Sequence, residues 1–228
     1  QADYDRIANI AMNTWDYDIG GYDVSSPEED EKLLLKFDWY INDDHRASFT
    51  YQDNEGNTVR DYWGDTFPTA SHTTSESNRY NMNETLTAYS LQVFSSWSDD
   101  LSTEFKMARK EVNTEQVSIG EHFAQFNIAT PNGGSLYIGP DQFRHANELA
   151  NNRDMYKLKA DYYLTDEHLL TFGIEHEVLD IVNTFVFGSK GFTNFASIED
   201  FENNVGFHVF QNALTGDPDD AVDKFEYS

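Results

Sequence analysis

Few side chains in this sequence are spaced for chemistry. Glu175-His176-Glu177 offers two carboxylates around an imidazole, the residue types of a metal-ligand cluster. On an extended strand successive side chains point to opposite faces, which turns His176 away from both glutamates. Ser189-Lys190, between Gly188 and Gly191, has the types of a serine–lysine dyad, but adjacent residues on an extended loop diverge. His45 and His168 stand at matching places in two turns, which points to turn geometry. The sequence contains no G-x-S-x-G, no P-loop and no H-E-x-x-H. Covalent catalysis is not expected, and no catalytic or metal-ligating set is assigned.

The remaining candidates suit binding. Asp141, Arg144, His145 and Asn147 form the densest polar motif. Arg144 offers a planar fork for a carboxylate or sugar hydroxyls. The same four residues also suit a loop locked by its own hydrogen bonds, with Arg144 pairing Asp141. Phe185, Phe187, Phe192 and Phe195 offer faces for stacking sugars or other flat ligands, or pack a loop.

The elements that must carry these residues are strands. Three similar turns recur, Asn42-Asp43-Asp44-His45, Ser98-Asp99-Asp100-Leu101 and Thr165-Asp166-Glu167-His168, starting 56 and 67 residues apart. A Phe follows at the same place in each, at Phe49, Phe105 and Phe172. Leu35, Phe37, Phe49, Leu91, Phe105, Leu158 and Phe172 fall on one face by alternation. Lys36, Asp38, Glu104, Lys106, Lys159 and Glu175 fall on the other. Trp39, Tyr40, Trp97, Tyr162 and Tyr163 sit beside the short turns, like an aromatic girdle at a membrane–water interface. Tight turns at one end and long connections at the other predict an all-β fold. It is a section of a transmembrane antiparallel β-barrel with short periplasmic turns and long extracellular loops. Spanning hairpins are expected at 31–52, 85–110 and 155–178. A soluble antiparallel sandwich also alternates, though its loops are usually shorter.

Charge follows the same division. The chain has 228 residues, no Cys and a net charge of −26; the three hairpin spans carry −4 and the remainder −22. Acidic loops repel phosphate, so no nucleic-acid partner is expected. They suit a divalent cation, a basic ligand or a solvated surface. Absence of Cys removes thiol catalysis and suits passage through an oxidising periplasm.

Between the hairpins, a strand or short helix is expected around Ile7–Trp15, then a Gly-Gly-Tyr turn and an acidic run at Ser25–Glu31. Residues 53–84, with Pro68, are expected to be a mobile loop. A second kind of hairpin turns at Pro131-Asn132-Gly133-Gly134 and should stand above the barrel. Ser197-Ile198-Glu199-Asp200 is a capped helix start, and an acidic stretch at Asp217–Asp223 closes the chain.

Four stretches carry a family resemblance. Lys36-Phe37-Asp38-Trp39-Tyr40-Ile41-Asn42-Asp43-Asp44-His45-Arg46 resembles a motif of Oar-like TonB-dependent outer-membrane receptors, with Tyr40 in place of the usual Asn. Gly139-Pro140-Asp141-Gln142-Phe143-Arg144-His145-Ala146-Asn147-Glu148-Leu149, Leu169-Leu170-Thr171-Phe172-Gly173-Ile174-Glu175 and Phe195-Ala196-Ser197-Ile198-Glu199-Asp200-Phe201 resemble three more, in the same order. The resemblance implies a 22-stranded barrel in the outer membrane of a Gram-negative bacterium. It would have an N-terminal plug, take up a nutrient and draw energy through TonB. On that reading residues 1–228 are a single partial barrel domain, an internal piece without the plug, the TonB-engaging segment or the closing strands. Its implied partners are outer-membrane lipid, an extracellular nutrient and, through the missing regions, the TonB complex. No cofactor is implied. A passive porin or adhesion barrel, and a soluble carbohydrate-binding β-sandwich, remain alternatives.

Overall fold

The computed structural model describes residues 1–22, 25–61, 72–120, 124–211, 215–216 and 222–227. Seven of its strands form one antiparallel sheet. They are β1 (Glu28–Tyr40), β2 (His45–Arg60), β4 (Tyr80–Ser96), β5 (Leu101–Ser118), β8 (Asn147–Thr165), β9 (His168–Phe185) and β12 (Val222–Tyr227), in that spatial order. Among the described residues no helix is long and apolar enough to cross a membrane, which says nothing of strands.

The tight turns have a common cause. Asn42 Oδ1 accepts the N–H groups of Asp44 and His45, both at 2.9 Å. Ser98 Oγ accepts those of Asp100 at 3.3 Å and Leu101 at 3.1 Å. In each case a short polar side chain does the work of a backbone turn. The third turn is tighter. Only Asp166 and Glu167 separate β8 from β9, and the register shifts between Tyr163 and Thr165.

Cross-strand partners share a face, so the register defines two surfaces. Phe37, Phe49, Leu91, Met107, Tyr156 and His176 form one row across five steps of pairing. Trp39, Ala47, Val93, Phe105, Leu158 and Ile174 form the next. This apolar face is bare: Phe37 is 62% exposed, Phe172 60% and Ile174 70%. The opposite face carries rows such as Asp38, Ser48, Gln92, Lys106, Lys157 and Glu175. Both sets of face assignments expected from alternation hold.

The strands outrun the expected hairpin spans. β2 continues to Arg60 and β4 begins at Tyr80, so much of 53–84 is ladder rather than mobile loop; Pro68 lies outside the described residues. Here Asn54, Asn57, Asn81 and Asn83 make both faces polar, so the period-2 signal vanishes while the backbone hydrogen bonds continue. A seventh strand, β12, also escaped the sequence reading; it pairs with β9 through Lys224↔Val182 and Phe225↔Ile181. Residues 217–221 of the acidic closing stretch lie outside the described residues.

A second layer gathers at the long-loop end. It comprises helix α1 (Ala2–Trp15), short strands β3 (His72–Thr74), β6 (Gln125–Ala129), β7 (Ser135–Ile138), β10 (Phe192–Phe195) and β11 (Phe207–Val209), and helix α2 (Ile198–Glu202). The strands form a five-stranded sheet in the order β11-β10-β6-β7-β3. The expected hairpin around Gly133 is β6–β7 and lies in this layer. In α1, Ile7, Ile10 and Ala11 share a helical face. They pack with Ile19, Ile128, Leu136, Ile138, Phe195, Ile198 and Phe201 into the buried hydrophobic cluster of the molecule. Ser197 caps α2 by accepting the Asp200 N–H at 3.0 Å, as its sequence predicted. The ordinary protein core thus sits in the loop layer, whereas the seven-stranded sheet keeps its apolar face uncovered.

Candidate functional site

Three of the four polar candidates sit at the base of the loop layer, in a segment folded back on itself. Gly139 turns the chain with φ of +77°, and a Cβ there would lie 2.3 Å from the Ala124 carbonyl oxygen. Asn78 donates to the Gly139 carbonyl at 2.8 Å, and Ser77 accepts the Gly139 N–H at 3.0 Å. Fully buried Gln125 accepts the Gln142 N–H at 2.7 Å. These supports come from residues the sequence did not single out. Isolated amides between strands carry no motif, and only their burial marks them.

Asp141 is fully buried. Its Oδ1 accepts the Phe143 N–H at 2.7 Å, while Oδ2 has no hydrogen-bond partner among the described residues. Burial pushes the carboxyl up to about 6, against the Phe143 hydrogen bond and the charge of Arg144, with Asp61 adding to the rise. The expected Asp141–Arg144 pairing takes a backbone form, with the Arg144 N–H donating to the Asp141 carbonyl at 2.8 Å. The guanidinium instead lies over the Tyr80 ring, 4.6 Å from its centroid, and donates to the Tyr80 hydroxyl at 3.3 Å.

His145 joins two loops. Its Nδ1 accepts the Lys190 N–H at 3.0 Å, and Nε2 lies 3.0 Å from the Pro140 carbonyl. These partners assign the neutral tautomer that carries its proton on Nε2. Burial lowers its pKa to about 4; the Pro140 carbonyl opposes the shift and the Lys190 charge adds to it. Gly188 N–H donates to the Gln142 carbonyl at 2.8 Å and completes the clamp. Ser189 is buried and Lys190 exposed, and of the two it is the Lys190 backbone N–H that serves this clamp. Asn147 begins β8 and donates to the Phe143 carbonyl at 3.3 Å. Arg144, His145, Asn147 and Lys190 line a cavity of about 220 Å³ beside the top of β5.

The aromatic candidates do not converge on one face. Phe187 stands between Phe143 and Phe192, with ring centroids 4.9 and 5.3 Å apart. Phe185 ends β9 and is 49% exposed. Phe195 is 3% exposed and packs edge-on to Phe126 and Phe201, in the core. Among the described residues no three His, Asp or Glu converge as a cation site. His176 lies in the apolar row and stacks on Tyr156 at 6.4 Å, while Glu175 and Glu177 share the polar face.

The largest organised surface is therefore the sheet itself, with a band of exposed Phe, Leu, Ile and Trp on one side and an ion-paired lining on the other. On the lining, Lys36 meets Asp38 at 3.1 Å, Arg153 meets Glu177 at 3.1 Å and Lys159 meets Asp161 at 2.8 Å.

No protein-family model matches the sequence, and no curated protein matches it. Among solved structures the fold is similar to that of the outer membrane transporter YddB from Escherichia coli, with a TM-score of 0.58 at 9% identity. The match covers 89% of this chain and 24% of that one, so the chain spans about a quarter of the transporter's length. The fold is accordingly an antiparallel β-barrel section like the one in that structure.

Proposed function

We propose that the chain is part of a TonB-dependent receptor that binds a nutrient at the cell surface and passes it to the periplasm. The observation that carries this reading is the two-faced wall, an uncovered apolar band backed by a charged lining and capped at one end by a folded loop layer. The apolar face meets lipid of a Gram-negative outer membrane, and the ion-paired face lines the lumen. Short turns then face the periplasm and the loop layer faces outward. A soluble carbohydrate-binding sandwich would need a second layer over Phe37, Phe172 and Ile174, and these are open. The likeness to a transporter barrel supports passage, and the four Oar-like stretches support the TonB-dependent form over a passive porin or adhesin. The chain contributes wall and binding surface and performs no covalent chemistry. The nutrient, the TonB complex and a divalent cation at the acidic loops belong to this proposal.

The test is uptake by cells that make the full-length protein, with and without an energised TonB complex. Uptake that needs TonB supports the receptor. Uptake that persists without it makes the protein a porin, and a product soluble without detergent removes the membrane reading altogether.

A further inference from the structure

One cavity in the loop layer belongs to neither the clamp nor the wall. It lies between the first turns of α1 and the Thr130–Ser135 turn of the β6–β7 hairpin, with a volume of about 570 Å³. That falls within the range of about 300–1,000 Å³ that buries a small ligand. Ile7 and Leu136 close its inner side from the core, both essentially inaccessible. One wall is a pair of tyrosine rings, Tyr4 and Tyr22, with centroids 5.1 Å apart and planes inclined by 54°. The Tyr4 hydroxyl is committed to the Gly20 carbonyl at 2.8 Å, which fixes its ring. Tyr22 lines the cavity, is 44% exposed and donates its hydroxyl to Gln1 Oε1 at 3.2 Å. The rim is polar, with Asp3 on α1, Thr73 on β3 and Asn132 and Ser135 on the hairpin. At Gly133, φ is +79° and no atom lies within 4 Å of a notional Cβ, so the backbone there is open to an approaching group.

We infer that this cavity is a subsite for a neutral or amino sugar residue. A pyranose has an apolar face and a girdle of hydroxyls that both donate and accept. The cavity supplies an aromatic wall for the first, and hydroxyl, amide and carboxylate groups for the second. Its described lining holds one carboxylate and no Lys or Arg, in a chain of net charge −26, so anionic ligands are disfavoured. The inference rests on the receptor reading above and names the class of nutrient.

The experiment is saturation-transfer NMR on the full-length protein folded in detergent micelles, with methyl glycosides of glucose, galactose, mannose, N-acetylglucosamine and glucosamine as probes. At least one glycoside should give signals. Thr73→Trp, an exposed rim change that fills the opening, should abolish them. Tyr22→Ala should weaken binding about tenfold, as for a lost stacking contact. Heat-modifiable migration on a gel reports that each variant keeps its barrel. No signal from any glycoside with the barrel intact overturns the subsite and leaves the transporter reading standing. Signals unchanged by Thr73→Trp overturn it as well, because the sugar then binds elsewhere.

Discussion

Replacing Asp141 by Asn should make the loop layer acid-sensitive, and replacing His145 by Gln should do the reverse. Folded Asp141 holds its proton up to about pH 6, against 3.8 for the ordinary side chain. Between those values the folded chain binds more protons than the unfolded one, so this group's contribution to stability grows as pH falls and is lost as pH rises through 6. Folded His145 stays neutral down to about 4, against an ordinary value of 6.5. Across that interval the unfolded chain binds more protons, so the histidine's contribution is present above 6.5 and is lost as pH falls toward 4. Each group works at about 1.4 kcal/mol per pH unit, so each shift is worth roughly 3 kcal/mol. The slopes have opposite sign over nearly the same window and cancel in the natural protein. Asp141→Asn leaves only the histidine slope, a loss of roughly 3 kcal/mol between pH 6.5 and 4. His145→Gln leaves only the aspartate slope, a gain of similar size on acidification. The measurement is hydrogen-exchange protection of the Gly188 amide in the full chain, corrected for intrinsic rates, at four pH values. That amide is bonded across the clamp to the Gln142 carbonyl, keeps its acceptor in both variants and reports local opening. Parallel pH profiles for the two variants would refute the assignment.

Phe37→Arg should impair assembly more than Lys36→Glu, since a cation on the lipid face costs about 2–4 kcal/mol at mid-bilayer and less toward the interface; the folded, heat-modifiable fraction reads this, and equal tolerance would count against a membrane wall. In whole cells an impermeant thiol reagent should label Gly133→Cys and not Asp99→Cys, and the reverse pattern would invert the proposed orientation. Gly139→Ala should loosen the clamp by more than 1 kcal/mol, about the scale of left-handed strain alone, because its Cβ also meets the Ala124 carbonyl; unchanged protection of the Gly188 amide would show that the turn relaxes freely.

What the sequence displayed was whatever depends on near neighbours. Phe37, Trp39 and Ile41 advertise a face because alternation is local, and Asn42, Ser98 and Thr165 advertise turns because a side chain bonds two or three residues on. The Gly133 hairpin and the Ser197 cap showed for the same reason, but the packing of the loop layer stayed hidden because its order is non-local. Ile7 and Phe201 share a core from opposite ends of the chain, and the parallel pairing of β3 with β7 joins His72 to Ser135. Phe195 looked like Phe185 in the sequence, an aromatic in a loop, yet one is core and the other exposed. Asp141 and His145 were visible as a polar motif, but their burial was not, because it depends on Gln125 and Asn78 arriving from other loops.

The same non-local core constrains the order of assembly. Arg6 bonds Glu199 and Glu202 across some 190 residues of intervening chain, and five long β-strand pairings lie between them. Loop-closure entropy makes such a contact expensive until the strands between have paired. By this argument the loop layer should consolidate last. Its apolar segments, α1 and the β10–α2 stretch among them, then stay unshielded while the wall forms, and they are the surfaces on which misassembly would start.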